Sequence, residues 1–370
     1  MSANKFMQQL MKMDGAVVER KDRFKHVLHS QSPSVDFTYG RGHGLPFGYT
    51  TVMYGPPKGG KSVLSHLMIG SLHQSDPDAI AIKFDSEFRA DGQLDTASLA
   101  LFGIDESRLA VVEGNSPSAV FDQIEKNVGA TCEAGGKVKL IIIDSVSSIQ
   151  GRREMNLDSV EKMTIGDHAQ TIQIGLKRIL PVIRKYDIAL VLICQVRAEM
   201  DQTEIMRGNK FKMGASFGLQ HMAEYFLAVE ENKTKDGRSN IHGEALINEE
   251  VEDLAGRGEV TGTKIRARMR DNSMGPKGRT GEFTFDFSKG IVNQYEEVFK
   301  LGVGRGIVNR PNQLTYEFGG QTWKGKDAFL AALKESQKLQ DDIIADLKTR
   351  DARGEFAALD AQLAKEVEAP

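Results

Sequence analysis

The sequence predicts an α/β protein with a mostly parallel central sheet, and three features predict it. Short apolar runs alternate with longer stretches of helical spacing, the first run leads at once into a glycine-rich loop and a helical stretch, and from residue 225 strands follow one another without helices between them. Alternating strand and helix is the pattern of a parallel sheet covered on both faces, whereas consecutive strands add antiparallel neighbours.

Residues 1–33 carry Phe6, Leu10, Met13 and Val17 at helical spacing, a short arm with too few partners to fold alone. After a Gly/Pro-rich loop come the runs 50–55, 79–85, 109–114, 139–145 and 188–196, whose unbroken apolarity means that both sheet faces are covered. Before the last of them, Ile172, Leu176, Ile179, Leu180 and Ile183 mark a buried helical stripe, with a kink expected at Pro181. The strands 225–232, 263–271 and 281–292 read as antiparallel additions, and the polar stretch 233–259 as an inserted loop. Residues 293–350 read as a small C-terminal α/β module around Trp323, 351–370 as an acidic tail, and the last thirty residues as a solvated helix and tail.

The chain has 370 residues, 40% of them hydrophobic, enough for one large domain with smaller appendages. A formal net charge of −3 is not that of a simple electrostatic nucleic-acid binder, so any nucleic-acid site has to be local. Cys132 and Cys194 supply no disulfide framework, which points to a reducing compartment, the cytoplasm. The first residues lack an uninterrupted apolar core, and no run of about 18 apolar residues occurs, so neither secretion nor membrane spanning is expected.

Gly55-Pro56-Pro57-Lys58-Gly59-Gly60-Lys61-Ser62 fits G-x-x-x-x-G-K-S/T between a strand and a helix. In such a loop backbone N–H groups turn inward around the phosphates of a nucleotide such as ATP. Lys61 then reaches the terminal phosphates, and Ser62 is suited to hold Mg²⁺. Asp144 ends the run LIII at a strand's carboxyl end, where it suits the same Mg²⁺; a plain helix cap is the other reading. Glu87 and Asp85, in KFDSEF, both follow a strand end where a carboxylate orients water; spacing does not choose between them, or against a surface pair. Arg266, Arg268 and Arg270 alternate along one strand and share a face that needs anions opposite it, unless it is a solvated edge.

Taken in order, YGPPKGGKS, KFDSE, IIIDSV and LICQVR resemble the core of the RecA family, including phage recombinases of the UvsX type. GLPFG (44–48), IGD (165–167), MRGN (206–209), LGV (301–303) and WKGKDAFLAAL extend the resemblance over roughly residues 34–350. It implies a RecA-like P-loop ATPase core over 34–292 with DNA-binding loops near 150–168 and 196–214. It also implies that the 1–33 arm is an oligomerisation arm docking on a neighbouring copy, and that 293–350 is the family's small C-terminal domain. By the same resemblance Glu87 becomes the catalytic base, Gln195 the sensor of the terminal phosphate, and Arg268 with Arg270 arginine fingers acting in trans.

In the two loops, Arg197, Arg207, Lys210 and Lys212 suit a DNA backbone, while Met163, Ile165, Met206 and Phe211 are placed to wedge or stack against bases; a merely solvated loop is the alternative. The function implied is an ATP- and Mg²⁺-dependent recombinase, filamentous on single-stranded DNA, that pairs it with homologous duplex, aided by single-strand-binding and loading proteins. A ring helicase on the same core, or a regulatory ATPase, is the alternative. Three departures stand out: Arg207 where the family has Phe, Ser98 where it has an adenine-stacking Tyr, and the insert 233–259.

Overall fold

The computed structural model describes residues 22–88, 96–153, 166–198, 211–213, 221–232, 247–252 and 258–368, together with Lys12, Met155 and Leu219. The chain enters through β1 (Val27–Leu28), which pairs antiparallel with β2 (Leu45–Pro46) around the short helix Pro33–Thr38. Then come β3 (Thr50–Gly55), β4 (Ile80–Asp85), β5 (Leu109–Glu113), β6 (Val138–Asp144), β7 (Ala189–Ala198) and β8 (Phe211–Met213). They are followed by β9 (Tyr225–Glu231), β10 (Ile247–Glu252), β11 (Gly258–Val260), β12 (Gly262–Asn272), β13 (Thr280–Asp286) and β14 (Gly290–Val292).

The main sheet has the order β14-β13-β12-β9-β3-β7-β6-β4-β5. From β5 to β9 all neighbours are parallel, and β12, β13 and β14 add antiparallel strands at the β9 edge. The expected α/β class with a mostly parallel sheet is therefore what the chain builds. The 281–292 run divides into two strands because Asp286 Oδ1 accepts from Ser288 N (2.8 Å) and Lys289 N (3.0 Å), which turns the chain.

The apolar runs are unbroken because alternate residues enter different cores. On one face Leu140, Ile142, Val191 and Ile193 pack with Leu64, Leu67 and Met68 of the helix Lys61–Ser75. On the other, Ile141, Ile143, Leu190 and Leu192 pack with Ile172, Leu176, Ile179 and Ile183 of the helix Asp167–Lys185. Pro181 lies inside that helix on its exposed side. The helical turns Ser118–Glu133, not anticipated from the sequence, complete this layer through Val120, Phe121 and Ile124.

Residues 22–33, the described end of the expected arm, contact their own chain: Gln31 Nε2 donates to Leu67 O (2.9 Å) and Phe102 O (2.8 Å). The described part of the insert is a hairpin, β10 with β11, rather than an unstructured loop. The C-terminal acidic stretch includes a helix, Ala357–Glu368, and is not solvated throughout, since Asp360 is only 8% exposed.

Asp360 is buried because it meets a cation. Arg279, 1% exposed, donates through Nε (3.0 Å) and Nη2 (2.6 Å) to Asp360 and through both Nη atoms to Asp351 (2.8 and 2.6 Å). Its guanidinium also lies 4.0 Å from the Phe37 ring centroid. Phe37 in turn packs with Val298, Leu301, Phe329, Leu333, Ile343 and Leu347 in a third core, so its short helix joins Arg279 in fastening the C-terminal layer to the main sheet. That layer consists of the helices Gln294–Gly304, Lys326–Glu335 and Gln337–Ala352 around a small antiparallel sheet, β15 (Asn309–Asn312), β16 (Thr315–Phe318) and β17 (Gln321–Lys324).

Candidate active site

The parallel register sets the site. Gly55 pairs with Gln195, Asp144 with Ile193, and Asp85 with Asp144, so four of the sequence-predicted positions end at one carboxyl edge of the sheet. Ligands of open α/β sheets bind outside that edge, where strand order reverses. Here β7 and β6 lie between β3 and β4 although they follow both in sequence.

The phosphate loop leaves β3 at Gly55 and enters the helix at Lys61. Gly55 is required by packing: a Cβ there would fall 1.8 Å from Val229 O on the adjoining β9. Gly60 caps the helix in the left-handed region, φ +94°, against Ile265 Cδ1 at 2.5 Å from an added Cβ. Pro57 and Lys58 are exposed, and Lys58 holds φ +60°. Lys61 Nζ donates to Gly55 O (2.8 Å) and Pro56 O (2.7 Å), which lays the ammonium over its own loop. Gly59, Gly60, Lys61 and Ser62 thus open a 15-residue helix whose first N–H groups have no intrahelical acceptors.

The two carboxylates after β4 separate into different tasks. Asp85 is buried, and its Oδ1 accepts the backbone N–H of Glu87 at 2.9 Å. Glu87 is half-buried, and its Oε1 accepts a 2.7 Å hydrogen bond from Gln195 Nε2. Ser86 Oγ donates to Ser145 O (2.6 Å), locking the end of β4 to the end of β6. Asp144, 7% exposed, has Lys83 Nζ 3.7 Å from its Oδ2. Lys83 Nζ is also 3.4 Å from His66 Nε2. Neither Lys83 nor His66 was picked out from the sequence. The signal was a lone charge in the middle of the otherwise apolar run AIAIKF.

The arginine row lies on the sheet face away from the phosphate-loop helix, since Ile265, Ala267 and Met269, alternating with it, pack in the core of that helix. Arg266, Arg268 and Arg270 line a cavity of about 250 Å³ with Ala228, Glu230, Thr280 and Glu282. Arg266 is engaged within the chain, its Nε and Nη2 both 2.8 Å from Glu282 Oε1. Burial pushes the Tyr54 hydroxyl up to about 12, against the pull of Arg270 and Arg268.

Beyond Gln195 the backbone forms a ladder in which Arg197 faces Lys212 and Ala198 faces Phe211. Gln195 N–H donates to Ser147 Oγ (3.1 Å), so the root of this ladder is tied to the turn after β6. Met163, Ile165, Met206, Arg207 and Lys210 lie outside the described residues. So does the segment 233–246, while Ser98 sits half-buried in the helix Thr96–Phe102.

Among the described residues no cluster of three or more His, Cys, Asp or Glu forms a metal cage, and no helix is long and apolar enough to cross a membrane. A site built of one hydroxyl, one carboxylate and a phosphate loop suits an ion carried in with nucleotide phosphates. Ser62, in the first turn of the phosphate-loop helix, and Asp144, at the end of β6, carry the hydroxyl and the carboxylate of such a set.

The RecA N-terminal domain family matches residues 7–292. Protein RecA of Cytophaga hutchinsonii is 24% identical over 348 residues, 93% of this chain and 87% of that protein. Protein RecA of Helicobacter hepaticus is 23% identical over 343 residues, 90% of this chain and 88% of that protein. DNA repair protein recA homolog 3, mitochondrial, of Arabidopsis thaliana is 24% identical over 336 residues, 86% of this chain and 68% of that protein. Because the RecA N-terminal domain family covers residues 7–292, most of its length, the chain belongs to the RecA family.

Proposed function

We propose that the chain is an ATP-dependent recombinase that assembles as a helical filament on single-stranded DNA and pairs it with homologous duplex. The observation that carries this reading is the 2.7 Å bond from Gln195 to Glu87. It joins a carboxylate suited to activate water to the residue just before a ladder that includes Arg197 and Lys212.

Gly55 to Ser62 and the helix N-terminus hold the triphosphate, with Lys61 released from the loop carbonyls to the terminal phosphates. Ser62 and Asp144 would hold Mg²⁺, which would supply charge to offset that of the phosphates. Glu87 accepts a proton from water as its oxygen attacks the terminal phosphorus and the bond to the leaving oxygen breaks. Gln195 has one amide and two acceptors to choose between, Glu87 and a phosphate oxygen. Exchange between them moves the root of the ladder, so that nucleotide state alters the grip of Arg197 and Lys212 on a DNA backbone. Arg268 and Arg270, on the face turned from their own phosphate-loop helix, serve the nucleotide of an adjoining copy, which makes the filament the active form.

The test is ATP hydrolysis with and without oligothymidine, followed by electron microscopy. The expected result is hydrolysis stimulated by the oligonucleotide and helical filaments whose binding weakens as salt rises. A monomer indifferent to oligonucleotide under saturating ATP overturns the reading, and closed rings replace it with a helicase.

A further inference from the structure

The run AIAIKF is apolar except for Lys83, which pairs in register with Ile142 and Val111 and is 4% exposed. A methionine or leucine has the volume to fill this place, and a buried ammonium is costly unless it is paired, so the charge itself calls for a reason. Its surroundings supply one. Nζ lies 3.7 Å from Asp144 Oδ2 and 3.4 Å from Nε2 of His66, which is 6% exposed. His66 stands four residues after Ser62, on the same helix face, with the Phe102 ring 5.1 Å from its own. Burial, and then Lys83, pull the His66 imidazole down to about 3, so the ring is neutral and its Nε2 accepts from the ammonium. One cation therefore touches the carboxylate read as a Mg²⁺ holder and the helix that carries the hydroxyl partner of that carboxylate.

We propose that Lys83 is a built-in cation that shares Asp144 with the metal and thereby sets how strongly nucleotide binding depends on Mg²⁺. The inference rests on the reading of Gly55–Ser62 and Asp144 as the site of ATP with Mg²⁺. Without metal, the ammonium offsets the charge of Asp144 and lessens its repulsion of the triphosphate. With metal, the same ammonium repels the ion and leaves Asp144 a weaker holder. His66 is a positioning residue that draws part of the ammonium's hydrogen bonding away from Asp144.

The experiment measures the affinity of a fluorescent ATP analogue by anisotropy, in EDTA and in saturating Mg²⁺, for the full chain and its variants. For Lys83→Met the ratio of the two affinities rises about tenfold, through weaker binding in EDTA and tighter binding in Mg²⁺. Lys83→Gln moves the ratio the same way and serves if the methionine variant does not fold. His66→Leu lowers the ratio by leaving the ammonium to Asp144 alone, and it decides the matter if neither Lys83 variant folds. A ratio unchanged in the folded variants, with both affinities falling together, overturns the proposal, because a merely structural lysine acts on both alike. If the unaltered chain binds the analogue but with no Mg²⁺ dependence, the metal assignment of Asp144 fails. If it binds no analogue at all, the ATP reading itself fails.

Discussion

Gln195 Nε2 donates to Glu87 Oε1 at 2.7 Å across two strands that are not neighbours, β7 and β4, with Asp144 of β6 between them. The bond spans the edge where a terminal phosphate would lie, and it is formed between groups 108 residues apart in sequence. Glu87→Gln is expected to lower turnover by about 10²–10⁴, the usual worth of a general base, while nucleotide binding and filament formation persist. Gln195→Ala should retain nucleotide binding but lose the stimulation by oligonucleotide. Steady-state hydrolysis with and without oligothymidine, beside filament counts, checks both; equal stimulation in Gln195→Ala refutes the coupling.

Arg268 and Arg270 face away from the core packed under their own phosphate-loop helix. A chain carrying Arg268→Ala and Arg270→Ala, and a chain carrying Lys61→Ala, should each be nearly inactive alone. Mixed, they should regain hydrolysis at those junctions where an intact loop meets an intact arginine face. Absence of rescue in filaments shown to contain both would place the arginines in some other role.

Arg279 is a buried cation held by two buried carboxylates, and removing one member of such a group leaves the others uncompensated. Although burial raises the Asp351 carboxyl, the hydrogen bonds from Arg279 and His43 hold it well below the ordinary range. Arg279→Met should destabilise the chain by about 3–5 kcal/mol, read by urea denaturation, and free the 357–368 helix to proteolysis. A loss below about 1 kcal/mol would show that the network contributes little.

Glu297 is 3% exposed and accepts from Ser32 Oγ (2.5 Å), Ser34 N (3.1 Å) and Ser34 Oγ (2.8 Å), joining the C-terminal layer to the start of the core. Burial raises its carboxyl from 4.5 to about 7, against those hydrogen bonds. The folded state therefore binds more protons than the unfolded one between these values, so this group's contribution to stability is fully present below pH 4.5, falls as pH rises to about 7, and is level above it. Glu297→Gln should flatten that slope and raise stability relative to the parent at pH 8. Denaturant midpoints across this range check the sign, and an unchanged slope assigns it to other groups.

The phosphate loop was legible because it is local: eight consecutive residues carry its turn, its glycines and its helix start, and no distant partner has to be known. The strands were legible because both of their faces are buried, which leaves unbroken apolar runs such as LIII before Asp144. Glu87 and Asp85 were not separable, because both follow the same strand. The difference between them is that one carboxylate accepts the other's backbone N–H while the other accepts from β7. The last thirty residues read as a solvated helix and tail because eight acidic against four basic residues say nothing about Arg279, distant in sequence, which buries Asp360.

By itself, then, the order of residues determined the α/β class, the strand-loop-helix that suits phosphates and the family to which they belong, since each depends on short-range patterning and backbone geometry. Tertiary structure decided which charges meet: Gln195 with Glu87, Lys83 with Asp144 and His66, Arg279 with Asp351 and Asp360. Coulomb and hydrogen-bond energies act over a few ångströms of space, whatever the distance along the chain, and only the sheet order brings those groups together.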